Sequence, residues 1–246
     1  MIKAYRLKFA CGTAGYEELL KANFPLPSLR TLSRKLENLK FESGTINEIF
    51  EFMKIKISGF EKEIDKDCTL VLDEMSISAG TFYDASTNTI IGNVTLPDHD
   101  TSIFATHSLV FMLAGIASRW KQVVAYYFTG NKVNGEKLKP IVEAIIKKAE
   151  ELGLIVHNVT SDMGPNNQAM WRAFGIQVSN VIIQNSCKHP CSNDKLLYFY
   201  SDVPHALKNI KTGFINNETI TIPDYFVNKF ALPTNVANCS HLNAYC

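Results

Sequence analysis

The chain lacks any hydrophobic run long enough to cross a bilayer. Its longest central one, Leu109 to Ala117, is less than half of the roughly 20 residues a membrane helix needs. The N-terminus, Met-Ile-Lys-Ala-Tyr-Arg, has no apolar h-region, so no secretory signal is expected. An excess of either charge is missing too: 25 Lys and Arg face 24 Asp and Glu, for a net +1. Contact with nucleic acid would therefore have to come from a local basic patch. Neither Gly-x-x-x-x-Gly-Lys-[Ser/Thr] nor Gly-x-Gly-x-x-Gly occurs, which leaves a P-loop or Rossmann nucleotide site without support. Cysteine is sparse, at positions 11, 68, 187, 191, 239 and 246, and reads as reduced thiols of a cytosolic or nuclear protein. Cys187 and Cys191 flank His189, but not at zinc-knuckle spacing and with no second pair, so a structural zinc is not expected. His99, His107 and His157 stand alone and read as core or surface residues. Internal repeats and low-complexity segments are absent.

What is present is enough apolar residue to build a sizeable core, 46% of 246 residues. The length suits one or two domains, or one domain with an appended module. Residues 14–24 carry Tyr16, Leu19 and Leu20 at helical spacing and stop at Pro25-Leu-Pro27. Ser28 is a fitting N-cap for a second helix over 29–39, with Leu29, Leu32, Leu36 and Leu39 along one face. Its other face shows Arg30, Arg34 and Lys35. Two short helices joined by a proline turn, the second basic, suggest a DNA-binding helix-turn-helix. The same pattern describes a solvated face on a small helical bundle. Thr45 and Glu48 have capping-box spacing at the head of a further helix over 45–56. The charged stretch 61–67 then leads into the first apolar strand.

That strand, Cys68 to Asp73, is followed by a hairpin (80–83, turn 84–88, 89–96) and by Ser108–Ala117, whose apolar run fits strand or helix. Val123–Phe128 is β-branched and aromatic and reads as a strand. Residues 137–152 form an amphipathic helix, with Leu138, Ile141, Ile145 and Ala149 inward and Gly153 at its C-cap. A strand running up to Asp162, a helix over 167–174 and a strand over 196–200 complete an α/β layout of ribonuclease H-like type, a mixed sheet with flanking helices behind a small helical preface.

Two apolar strands thus end in aspartate, at Asp73 and Asp162. Carboxylates at the ends of neighbouring strands can hold divalent cations for phosphodiester chemistry, and all-oxygen ligands suit Mg²⁺ or Mn²⁺. An aspartate after a strand equally begins a turn or caps a helix. Asp202, closing Phe199-Tyr-Ser-Asp202, could complete a triad or cap a helix over 206–211.

Several stretches, in order, resemble P element-type transposases, the vertebrate THAP9-like proteins among them. They are Leu26-Pro-Ser-Leu-Arg-Thr-Leu32, Leu72-Asp-Glu-Met-Ser-Ile77, Trp120-Lys-Gln-Val-Val-Ala-Tyr-Tyr-Phe128, Ser161-Asp-Met-Gly-Pro-Asn-Asn167 and Ser201-Asp-Val-Pro-His-Ala-Leu-Lys-Asn209. The resemblance implies a cut-and-paste DNA transposase acting in the nucleus on double-stranded DNA. It implies a helix-turn-helix over 1–42, a helical connector over 43–67, a catalytic core over 68–200, and the opening of a GTP-binding insertion over 201–246. Asp73 and Asp162 match the first two catalytic carboxylates, which hold Mg²⁺ or Mn²⁺, and Asn167 matches an asparagine that follows the second. The family's third acid is a glutamate beyond the insertion, and its zinc-coordinating THAP domain precedes the helix-turn-helix. Neither has a counterpart in these residues, so the expectation is a truncated chain, inactive alone. Two roles stand open: a residual or partnered nuclease that binds Mg²⁺ through Asp73 and Asp162, and a non-catalytic DNA- or protein-binding regulator, paired with itself or with a full-length transposase.

Overall fold

The structure, a computed structural model, describes residues 2–36, 41–85, 88–131, 133–179, 182–217 and 219–238. The expected helical turn through Leu39, part of the hairpin turn at 86–87, and Cys239 and Cys246 lie outside these.

Helix α1, Ile2–Lys21, bends at Gly12, whose φ of 72° breaks the helical run, so the helix expected over 14–24 forms, ending at Lys21, and a further helical piece that the spacing did not indicate precedes it. Helix α2, Leu29–Leu36, begins as expected: the Ser28 Oγ accepts the Thr31 N–H at 3.2 Å. Ala4, Tyr16 and Leu32 form a small separate core, and Tyr16 donates its hydroxyl to the Pro27 carbonyl at 2.8 Å. Removing the ring from water while its hydroxyl keeps an acceptor is what stabilises the proline turn.

The capping box does not form. Thr45 lies in a two-residue strand, β1 (Gly44–Thr45), paired with Ala125, and Ile46 occupies the N-cap of α3, Asn47–Ile57, without a side-chain cap. Pairing with the sheet overrides the local signal. Helix α3 buries Phe50, Met53 and Ile57 in the main core, so the connector belongs with the sheet.

Strand β2 spans Asp67–Ser76, running three residues past Asp73. The hairpin is shorter than the apolar pattern suggests, β3 (Phe82–Asp84) with β4 (Thr89–Ile91). The ambiguous apolar run is a strand, β5 (His107–Gly115), and β6 covers Lys121–Thr129. Helix α4, Leu138–Glu151, buries Leu138, Ile141, Ile145 and Ala149, and ends at Gly153, whose φ of 84° is the left-handed geometry glycine adopts without a Cβ penalty. Next come β7 (Ile155–Ser161), α5 (Pro165–Ala173), a small β8–β9 pair (Gln177–Val178 and Ile183–Gln184), β10 (Ser186–Lys188) and β11 (Leu196–Ser201). Helix α6, Val203–Asn217, is longer than the segment expected over 206–211 and buries none of its described side chains fully. Helix α7 (Asp224–Phe230) and the pair β12 (Thr219–Thr221) with β13 (Val236–Asn238) follow.

Seven strands form one sheet in the order β1-β6-β5-β2-β7-β11-β10. β2, β5 and β6 run antiparallel as a meander, whereas β2, β7 and β11 are mutually parallel. Alternation along β2 is strict up to Asp73: Cys68, Leu70 and Leu72 are buried in the core that α4 and α5 also fill. Strand β7 carries one extra residue. Cys68 pairs with Val156 but Thr69 with Asn158, so His157 is bulged out.

Candidate active site at the ends of three parallel strands

The pairing register builds the site. Val71 on β2 sits opposite Thr160 on β7, so two residues further on Asp73 and Asp162 are level. Ser201 on β11 sits opposite Ser161, so Asp202 is level with Asp162 one residue later, and the Asp202 N–H donates to the Ser161 carbonyl at 2.8 Å. Three aspartates therefore form a row across adjacent parallel strands, Asp73 just past the last pairing of β2 with β7, and Asp162 and Asp202 directly after β7 and β11, with about 5 Å between neighbouring strands. The carboxyl end of a parallel α/β sheet is where ligands bind, because the chain leaves the sheet there and exposes its side chains.

Each aspartate has a different environment. Asp73 is exposed, and its Oδ1 accepts the Glu74 N–H at 2.9 Å. Asp162 is half-buried; its Oδ1 accepts the Gly164 N–H at 3.0 Å and the Asn167 side-chain amide. A Cβ on residue 164 would stand 3.1 Å from that oxygen, tighter than carbon normally approaches it, which is why glycine fits there. Asn167 lies in the first turn of α5, so the helix start and the carboxylate brace each other. Beneath them, Trp171 donates its ring N–H to the Ser161 Oγ at 3.1 Å and packs edge-on against Phe199.

The Asp202 carboxylate turns to His205 Nδ1, while its carbonyl accepts the Ala206 N–H of α6. Asp202 thus stands at the N-cap position of α6 through its carbonyl, while its carboxylate is engaged by a side chain and not by a backbone N–H. The hydrogen bond to Asp202 raises the His205 pKa above its ordinary value, against a smaller effect of desolvation, and the charges of Asp202, Asp162 and Asp73 raise it further. His205 is the participant that sequence reading missed. Its signal was the Asp-x-x-His spacing, which places both side chains on one side of a helix start.

A second carboxylate at the end of β2, Glu74, accepts the Thr129 hydroxyl at 2.6 Å and shares a cavity of about 110 Å³ with Asp162, Gly164 and Asn167. Among the described residues, no group of three or more His, Cys, Asp or Glu side chains is arranged to hold a metal ion. Two hard oxygen donors, Asp73 and Asp162, remain level on one edge. That donor set fits an oxygen-seeking divalent cation and not zinc.

Arg30, Arg34 and Lys35 are all exposed on α2, with Arg30 and Arg34 one turn apart. They belong to the N-terminal helical cluster and not to the aspartate row. The Cys187–Cys191 segment has no free imidazole nitrogen for a metal: His189 Nδ1 accepts the Cys191 N–H at 3.2 Å and its Nε2 donates to the Val156 carbonyl at 3.0 Å. Burial also pushes up the thiols of Cys187 and Cys191, and that of Cys68 up to about 12.

Residues 41–175 match the family described as TNP-like, RNase H N-terminal domain. Over 206 residues, 84% of this chain, the sequence is 27% identical to the Transposable element P transposase of Drosophila melanogaster. Over 216 residues, 86% of the chain, it is 23% identical to the DNA transposase THAP9 of Homo sapiens. The chain spans 24% of the length of each relative. Among solved structures, the Drosophila P element transposase strand transfer complex superposes with a TM-score of 0.67 at 25% identity, over 86% of this chain and 42% of that one.

Proposed function

The chain belongs to the TNP-like, RNase H N-terminal domain family, and from that premise we propose that Asp73 and Asp162 are two carboxylates of a Mg²⁺ or Mn²⁺ site for phosphodiester cleavage and strand transfer in DNA transposition. The observation that carries the proposal is the shared register of β2 and β7, which sets the two carboxylates level on an open edge. When such a cation is bound, the chemistry it supplies is Lewis acidity at a water or phosphate oxygen. The chain's own residues prepare for that. Asn167 and the Gly164 N–H fix one Asp162 oxygen, so the other is presented in one orientation. His205, whose protonated form Asp202 favours, stands beside Asp202 at one end of the row.

In this reading Arg30, Arg34 and Lys35 approach the phosphates of double-stranded DNA, and the protein works in the nucleus, where that DNA is. Among the described residues no helix is long and apolar enough to cross a membrane. GTP, implied for an insertion opening over 201–246, is a separate claim, checked by equilibrium dialysis of the chain against labelled GTP.

Manganese titration followed by electron paramagnetic resonance is the direct test. The wild-type chain should show a weak site that Asp73→Asn with Asp162→Asn removes. An isotherm unchanged by both substitutions would overturn the metal assignment. A second reading has its own support, because no third metal-holding carboxylate joins the pair among the described residues. In that reading the chain is a non-catalytic regulator that binds DNA, itself or a full-length transposase. Nicking of a labelled duplex, lost in the same double variant, would exclude it.

A further inference from the structure

We propose that the cleft between α5 and the β8 segment, beside Asp162, is a subsite for one unstacked nucleobase of the bound DNA. The inference rests on the DNA reading above and deepens it. The cleft has a volume of about 250 Å³; Met163, Trp171 and Val178 wall it, and Gln168, Arg172 and Gln177 stand around it. Met163 directly follows Asp162, so the cleft begins one residue from the carboxylate assigned to the phosphodiester. Nucleotides rise only about 3.4 Å each along a strand, so those flanking a phosphate at Asp162 are neighbours of the cleft.

Its chemistry selects a base over an aliphatic side chain. Met163 and Val178 are 38% and 61% exposed, two apolar surfaces left facing solvent in the lining of the cleft. Trp171 has its ring N–H committed to Ser161, so what it offers the slot is apolar ring. The Gln168 amide nitrogen donates to the Met163 carbonyl at 2.8 Å, which orients its oxygen as an acceptor for an exocyclic amine. Gln177 adds an amide donor and acceptor, and the exposed Arg172 is a cation for the phosphate of the same nucleotide. Amides for a base edge, a cation for its phosphate and an apolar lining for its faces together match a flipped or single-stranded nucleotide.

The test uses the full chain and two forked oligonucleotides, identical except that one has an abasic residue at the nucleotide where the strands part. Fluorescence anisotropy should show wild type binding the intact fork about tenfold more tightly than the abasic one, the scale expected for one stacked base. Val178→Trp fills the slot at an exposed position, and Gln177→Ala removes its amide. Both should reduce that ratio, the first to less than twofold, while affinity for fully paired duplex stays as in wild type. Equal binding of both forks by wild type, or an undiminished ratio in Val178→Trp, would overturn the subsite while leaving the DNA reading intact. Binding of no oligonucleotide at all would instead overturn the DNA reading, and the subsite with it.

Discussion

Two donors converge on one oxygen of Asp162, and that asymmetry makes Asn167 a positioning residue. Asn167→Ala should leave the fold intact and weaken Mn²⁺ binding about tenfold, as loss of a hydrogen bond to a metal-ligating side chain commonly does. A dissociation constant unchanged from wild type would deny the residue that role. His205 gives an independent readout in metal-free protein. Its ring protons, followed by NMR, should titrate above the ordinary histidine value of about 6.5, and Asp202→Asn should bring the midpoint down. Because the folded pKa is raised, the pair's stabilisation is fully present below the unfolded value and is lost as pH rises through the folded one. At this scale the positions of Asp73 and Asp162 were legible because the buried alternation of β2 stops at one carboxylate and β7 runs up to the other, a visible break in hydropathy. His205 was not, since its meaning depends on where α6 starts, and that is set by Asp202 docking onto Ser161.

Among the elements, β7 decides whether the site exists. Without the bulge at His157, Asp73 would face Ser161, and Asp162 would move one step ahead and onto the opposite face. Deleting His157 takes out the extra residue and leaves Thr69 opposite Asn158, so it should keep both the circular dichroism of a mixed sheet and the Mn²⁺ binding of wild type. Lost binding would show that the bulge itself, and not the register beyond it, sets the aspartates. The elements themselves were mostly readable: β6 from its β-branched and aromatic run, α4 from its buried stripe closed by Gly153. Pattern failed where tertiary pairing competed with local preference. Thr45 offered a cap but is claimed by Ala125 across the sheet. The apolar residues Val94 and Leu96 looked like hairpin strand but are buried in the main core beyond the end of β4. A bulge leaves no signature in hydropathy, so the one-residue offset that aligns the aspartates could not be read from sequence.

At the scale of the whole molecule, the described residues form two apolar cores, a small one under α1 and α2 and a large one on the sheet. This separates the proposed DNA-binding helix from the proposed metal site. Arg30→Ala with Arg34→Ala should weaken duplex binding and lower the slope of log affinity against log salt by about two, with Mn²⁺ binding unaffected. An unchanged slope would return α2 to the status of an ordinary solvated helix. The division into helical preface and α/β core was legible from the charged stretch before β2, although α3 proved to belong to the core. The parallel row of β2, β7 and β11 also has a consequence in time. Asp73 is made early in synthesis, yet its strand neighbour lies 89 residues later and the third strand end later still. Contacts this distant in sequence form late, after the loops between them have closed. A nascent chain released before β7 would hold a folded meander and no place for a cation, so metal occupancy would report completion of the sheet.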